Sequence, residues 1–258
     1  MHQVIARNYA VASENKIHSD SIAKRLGFSG ALVPGATVFG HLTWPVTAQL
    51  GERWLQKSLV TTRFIKPAYD GEQLTITDRH SGGPIAVECH NSAGVLLATL
   101  ECRPEALPAI DARSKLTGGS GAVERVEIGW DAIRLNQPFA SYVWTPDAAQ
   151  NAEFAARLND ETELFKRGVL HPHAILSQAN QALVRQFIMP AWIHTGSEIR
   201  FRNLLRIGDS IEVRSVPIDK WEKKGHQFIK LYVALVKGAE VATEIYHTAI
   251  FRVAENSQ

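Results

Sequence analysis

Gly30-Ala31-Leu32-Val33-Pro34-Gly35 opens an almost wholly apolar run that lasts to Leu50. Gly168-Val169-Leu170-His171-Pro172 opens a second such run that ends near Ile188. The offset between the two is 138 residues (168 − 30). Thr62-Arg63-Phe64 followed by Gly71-Glu72 returns as Ile199-Arg200-Phe201 followed by Gly208-Asp209, an offset of 137 (208 − 71). Gly94 in Asn91-Ser92-Ala93-Gly94 is matched by Gly238 in Val236-Lys237-Gly238-Ala239. Three matches in the same order mark an internal repeat, so one structural unit is used twice.

Each unit reads as a buried helix followed by strands. From Ala36 to Leu50 the residues Val38, Phe39, Leu42, Trp44, Val46 and Leu50 leave almost no polar face, which predicts a helix covered on most sides. Pro45 lies within it and predicts a kink, or the end of a first helical section. Gly40 and that kink leave room for a tunnel beside the helix. Upstream, Ser19 or Asp20 can cap a short helix carrying Ile22, Ala23 and Leu26, with Gly27 at its end. Strands are predicted over residues 58–66, 73–80, 85–91 and 95–103, with turns at Asp70-Gly71 and at 91–94. The second unit repeats the plan with a helix over 174–188 and strands over 210–216, 227–236 and 241–253. Proline and Thr117-Gly118-Gly119-Ser120-Gly121 mark a connector with a short strand near 123–128. The predicted organisation is a first domain over 1–104, a linker over 105–138 and a second domain over 139–258. The class is α+β, because a helix lies against an antiparallel sheet.

Composition excludes several functions. The 258 residues are 45% hydrophobic and 21% charged with a net charge of +2, too nearly balanced to imply nucleic acid. No apolar run reaches the roughly 18–20 residues of a membrane span, and Met1–Arg7 lacks a secretory apolar region. Cys89 and Cys102, in adjacent predicted strands, read as a reduced pair of small buried residues, consistent with a cytoplasmic protein. His171 and His173 stand in a metal-like spacing without a third ligand nearby, so no metal is expected.

The residues around the first helix resemble the MaoC-like, or R-specific enoyl-CoA hydratase, family of the hotdog fold. Its motif corresponds here to Tyr9-Ala10, Asn15-Lys16-Ile17-His18-Ser19-Asp20, Gly27-Phe28-Ser29-Gly30 and Val33-Pro34-Gly35. The resemblance implies a tandem (double) hotdog, with the two units as a pseudo-dimer within one chain; it leaves further assembly into a homodimer open. It also implies an acyl-CoA or acyl-carrier-protein thioester as substrate and no cofactor beyond that carrier. Hydration of such a 2-enoyl thioester, or the reverse dehydration, needs groups to move a proton between water and the α-carbon. It also needs donors for the oxygen that becomes an enolate. His18 matches the family histidine. The amides of Gly35 and Ala36, at a helix start, are the expected donors, because their N–H groups lack intrahelical partners.

The motif departs from the family where its aspartate should stand. Ser13 is five residues before His18, and the interval from Tyr9 to His18 is two residues shorter than in the family. Glu14 is the one nearby carboxylate and is the candidate to replace it, while Ser13 and Asn15 are candidate substrate contacts. In the second unit Asp160 plus five is Phe165, so that half is expected to shape an acyl tunnel without catalysing. Two other functions compete with the hydratase. A thioesterase is disfavoured because neither 31–50 nor 171–188 contains an acid. A non-catalytic acyl-thioester-binding protein would explain the missing aspartate.

Overall fold

The computed structural model describes residues 1–79 and 83–254; His80, placed above at the end of a strand, lies outside them. The first unit opens with β1 (His2–Ile5), passes through a tight 3-10 turn (Lys16–His18) and α1 (Asp20–Arg25), and enters α2 (Gly35–Leu50). Four strands follow: β2 (Ser58–Phe64), β3 (Gln73–Arg79), β4 (Ile85–Asn91) and β5 (Leu96–Pro104). The connecting stretch holds a 3-10 turn (Ala112–Lys115) and the short β6 (Val126–Glu127). The second unit begins with β7 (Tyr142–Trp144), α3 (Ala148–Arg157), α4 (Glu163–Lys166) and α5 (Pro172–Gln186). It ends with β8 (Phe187–Ile188), β9 (Ile193–Phe201), β10 (Ile211–Lys223), β11 (His226–Lys237) and β12 (Glu240–Arg252).

Ten strands form one antiparallel sheet in the order β1-β3-β4-β5-β2-β9-β12-β11-β10-β7, five from each unit. The units meet where β2 pairs with β9, in register from Ser58↔Phe201 to Arg63↔Gly196. A Cβ at Gly196 would lie 2.7 Å from the Thr62 carbonyl oxygen, so a larger residue there would force the seam apart. The central helices α2 and α5 pack against one another. This is a pseudo-dimer within one chain.

The apolar pattern explains how the layers close. Leu231, Val233 and Leu235 of β11 join the main core, which also takes Leu176, Ala179 and Leu183 of α5. Tyr232, Ala234 and Val236 point the other way into a separate cluster. A strand apolar on both faces must be covered twice, and the connecting stretch ties onto the second unit. Asp111 N–H donates to Glu244, Arg202 to the Pro108 carbonyl and Arg214 to the Ser114 carbonyl. The connector is therefore packed against the second unit along much of its length.

Several expectations change in detail. α2 runs without a break through Pro45. β10 continues past Val216, because a register shift between Pro217 and Asp219 places the proline at a bulge. β9 starts at Ile193, earlier than its match at Ile199-Arg200-Phe201 suggests. The helix predicted over 174–188 starts at Pro172, and its last two residues form β8. Both cysteines are free and buried, and desolvation pushes their thiols up to about 12 at Cys89 and about 11 at Cys102. No helix among the described residues is long and apolar enough to cross a membrane.

Candidate functional site

Asn15 caps the 3-10 turn that carries His18, with Ile17 N–H donating to Asn15 Oδ1 at 3.3 Å. The same amide grips the Trp192 peptide of the second unit. Trp192 N–H donates to Asn15 Oδ1 at 3.0 Å, and Asn15 Nδ2 donates to the Trp192 carbonyl at 2.9 Å. The second Nδ2 hydrogen reaches His18 Nε2 at 3.2 Å. His18 Nδ1 lies 2.7 Å from the Leu32 carbonyl, which can only accept, so Nδ1 carries the proton and Nε2 presents a lone pair. Burial lowers the His18 pKa, and the Leu32 carbonyl offsets part of that shift. The ring is a neutral base of fixed tautomer.

His18 and Asn15 line a cavity of about 260 Å³ at the start of α2. Gly35 lies on its wall, as do Leu32, Val38 and Phe64. The N–H groups of Thr37 and Val38 return to the Pro34 carbonyl, so the amides of Gly35 and Ala36 are the ones a helix start leaves free. Gly35 also has a steric role. A Cβ there would stand 3.2 Å from both His194 Nδ1 and Phe64. Among the described residues, the lining contains no aspartate or glutamate.

The structure separates the predicted site residues into two groups. Asn15, His18 and Gly35 line one cavity. Ala36 is buried just behind Gly35. Ser13 is half-buried outside the lining, its hydroxyl donating to the Asn15 carbonyl at 3.3 Å. Glu14 is exposed and forms an ion pair with Arg125, one bond measuring 3.0 Å, while Arg125 also donates to the Phe187 carbonyl. Its pKa is lowered, chiefly by the Arg125 hydrogen bond, and it does not line the cavity. The carboxylate suggested as a replacement is thus turned toward the connector. Gly40 is also differently used: its Cβ position lies 2.4 Å from Leu158, so that space holds a leucine and no tunnel.

The second unit supplies a wall that residue order alone does not reveal. Asn180 of α5, Trp192 and His194 all line the cavity. His194 Nε2 lies 2.9 Å from Ser197 Oγ, which in turn lies 3.1 Å from His247 Nδ1. Burial holds His194 well below the usual imidazole range and His247 at about 3, so both are neutral. Only the pairing of β9 with β2 brings these groups to α2, and no local motif announces them.

At the matching place in the second unit the pocket is filled. His171 caps α5, its Nδ1 accepting from His173 N–H at 3.1 Å, and its Nε2 lies 3.2 Å from buried Asp160. Phe154 packs edge-on against His173, and Phe165 packs at a tilt against His171. No group of three or more candidate metal ligands forms among the described residues.

No protein-family model matches the chain, and no curated protein matches its sequence. Solved structures do match over nearly its full length. A MaoC domain protein from Chloroflexus aurantiacus, described as a dehydratase, is similar with a TM-score of 0.64 at 13% identity, over 98% of this chain and 93% of that one. A Mycobacterium tuberculosis protein with a double hotdog fold has a TM-score of 0.61 at 13% identity, over 96% and 93%. A protein from Lactobacillus plantarum described as an oleoyl thioesterase has a TM-score of 0.55 at 9% identity, over 97% and 95%. The chain has the double hotdog fold, shared by proteins described as dehydratases and as thioesterases.

Proposed function

We propose that this chain is an acyl-thioester hydratase or dehydratase whose proton-transfer group is His18. The observation that carries this reading is the fixed Nδ1–H tautomer of His18, with Nε2 facing Asn15 in the cavity that ends at Gly35. In the hydration direction, water enters between Asn15 and His18, replacing the Asn15 Nδ2–His18 Nε2 hydrogen bond, and gives a proton to Nε2 while its oxygen bonds to the β-carbon. The electron pair of the double bond moves toward the thioester oxygen, which the Gly35 and Ala36 amides stabilise. The protonated imidazole then returns its proton to the α-carbon, and no other reactant is consumed. Coenzyme A or a carrier protein would hold the acyl group, with Lys66 and His226 on the lining as polar residues for the carrier arm.

A cavity whose lining holds no carboxylate among the described residues supports this chemistry over carboxylate-assisted thioester hydrolysis. The test is loss of the conjugated absorbance of crotonyl-CoA with purified protein, alongside assay of free thiol release. Hydration that disappears in His18→Ala is the expected result. Thiol release in its place would make the protein a thioesterase, and binding of acyl-CoA without turnover would make it a binding protein.

A further inference from the structure

Among the described residues, three buried polar atoms on the cavity-lining residues of the second unit lack a hydrogen-bond partner: Asn180 Oδ1, Trp192 Nε1 and His194 Nδ1. Trp192 and His194 are themselves more than nine-tenths buried. A buried polar group without a partner is costly, and such groups in native proteins call for an explanation. Three on the residues of one cavity point to a ligand that satisfies them.

Their chemistry is specific. The indole Nε1–H can only donate, and the Asn180 oxygen can only accept. His194 can do either, because its Nε2 contacts a hydroxyl that can itself donate or accept. If Ser197 donates to Nε2, then Nδ1 carries a proton; if Nε2 donates to Ser197, which then donates to His247 Nδ1, the His194 Nδ1 is a bare acceptor. All three groups are neutral, so they suit a neutral partner that both donates and accepts. Among the described residues, the one lysine on the lining, Lys66, is assigned to the carrier arm, so a carboxylate held by these three groups would have no counter-charge among them, which is unfavourable. The oxygen on the β-carbon is already assigned to His18 and Asn15.

We propose that the second unit recognises a hydroxyl group on the acyl chain beyond the β-carbon. The hydroxyl donates to Asn180 Oδ1 and accepts from Trp192 Nε1–H and from His194 Nδ1–H, the tautomer in which Ser197 donates to His194 Nε2. The substrate class is a short acyl thioester carrying its own hydroxyl, and a plain alkyl thioester leaves the three atoms unpaired. This inference rests on the acyl-thioester reading above.

The test is calorimetric binding of butyryl-CoA, 4-hydroxybutyryl-CoA and succinyl-CoA to the full chain, to Asn180→Leu and to Asn180→Asp. For the wild type, 4-hydroxybutyryl-CoA is expected to bind roughly tenfold or more tightly than butyryl-CoA, because a polar site discriminates against an analogue that lacks its partner. Succinyl-CoA is expected to bind more weakly than the hydroxyl compound. Asn180→Leu should reduce the ratio of the two affinities to near unity, a pattern that general loss of folding, which weakens both ligands alike, does not produce. Asn180→Asp, which keeps an acceptor, should retain the preference for the hydroxyl ligand. Equal wild-type binding of butyryl-CoA and 4-hydroxybutyryl-CoA, or tightest binding of succinyl-CoA, overturns the hydroxyl assignment but leaves the thioester reading standing. Failure of all three thioesters to bind overturns both.

Discussion

The two helix starts use the same backbone plan for opposite ends. At α2 the proline is followed by Gly35, and a cavity opens against its first amides. At α5 the proline is followed by His173, whose N–H is already capped by the His171 ring. Asn151 adds to the closure, donating to the Phe165 and Val169 carbonyls and accepting from His171 N–H. The first helix start keeps donors available and a neutral base within the same cavity. The second has its first amide, its dipole end and its space all occupied. The same backbone plan is thus left open at one helix start and closed by the chain's own side chains at the other.

The strongest test of this contrast is a pair of substitutions at the two histidines. His18→Ala should lower hydration by about 10²–10⁴-fold, the usual contribution of a positioned acid–base group, with the melting transition nearly retained. His171→Ala should leave the proposed hydration rate of the folded protein near wild type while reducing stability by about 1.5–3 kcal/mol in urea unfolding, because Asp160 then loses its buried partner. A large rate loss from His171→Ala would mean that the second site also takes part in turnover.

Gly35→Ala is the next sharpest. Its methyl would press on His194 and Phe64, so a stability loss of about 1–3 kcal/mol is expected, together with a clear fall in turnover. Wild-type activity in this variant would remove the helix start from the proposed site.

Acid should affect both halves. His41 titrates at about 4 and His247 at about 3 in the fold, against about 6.5 for an unfolded chain. Below about pH 6.5 the unfolded state binds the extra protons. The stability these groups provide is therefore complete above that pH and is lost as pH falls toward those lower values. Burial lowers His18 in the same direction, so kcat/KM should stay level at neutral pH and decline only on the acid side. A rate that instead rises as pH falls below 6 would argue against a neutral His18 base.

Glu14→Gln should have the smallest effect. An exposed pair with Arg125 is screened by solvent and contributes little, and the side chain lies outside the cavity, so the hydration rate should be unchanged. A loss of a hundredfold would return Glu14 to the reaction.

The repeat, the two central helices, most strand positions and the Asn15…His18 element are legible in the residue order, because they depend on periodicity and on spacing of a few residues. The β2 and β4 limits lie within a residue or two of those read from side-chain pattern alone. The resemblance to the family motif implied an aspartate where Ser13 stands, but not which way Glu14 would turn; Arg125, 111 residues away in the chain, decides that. Gly40 was open space on paper, and only the packing of Leu158 against it shows that it is filled. Asn180, Trp192 and His194 could not be assigned to the first unit's cavity from their neighbours in sequence. They reach it because β9 pairs with β2 and α5 packs on α2, contacts between residues far apart in the chain that no local pattern encodes.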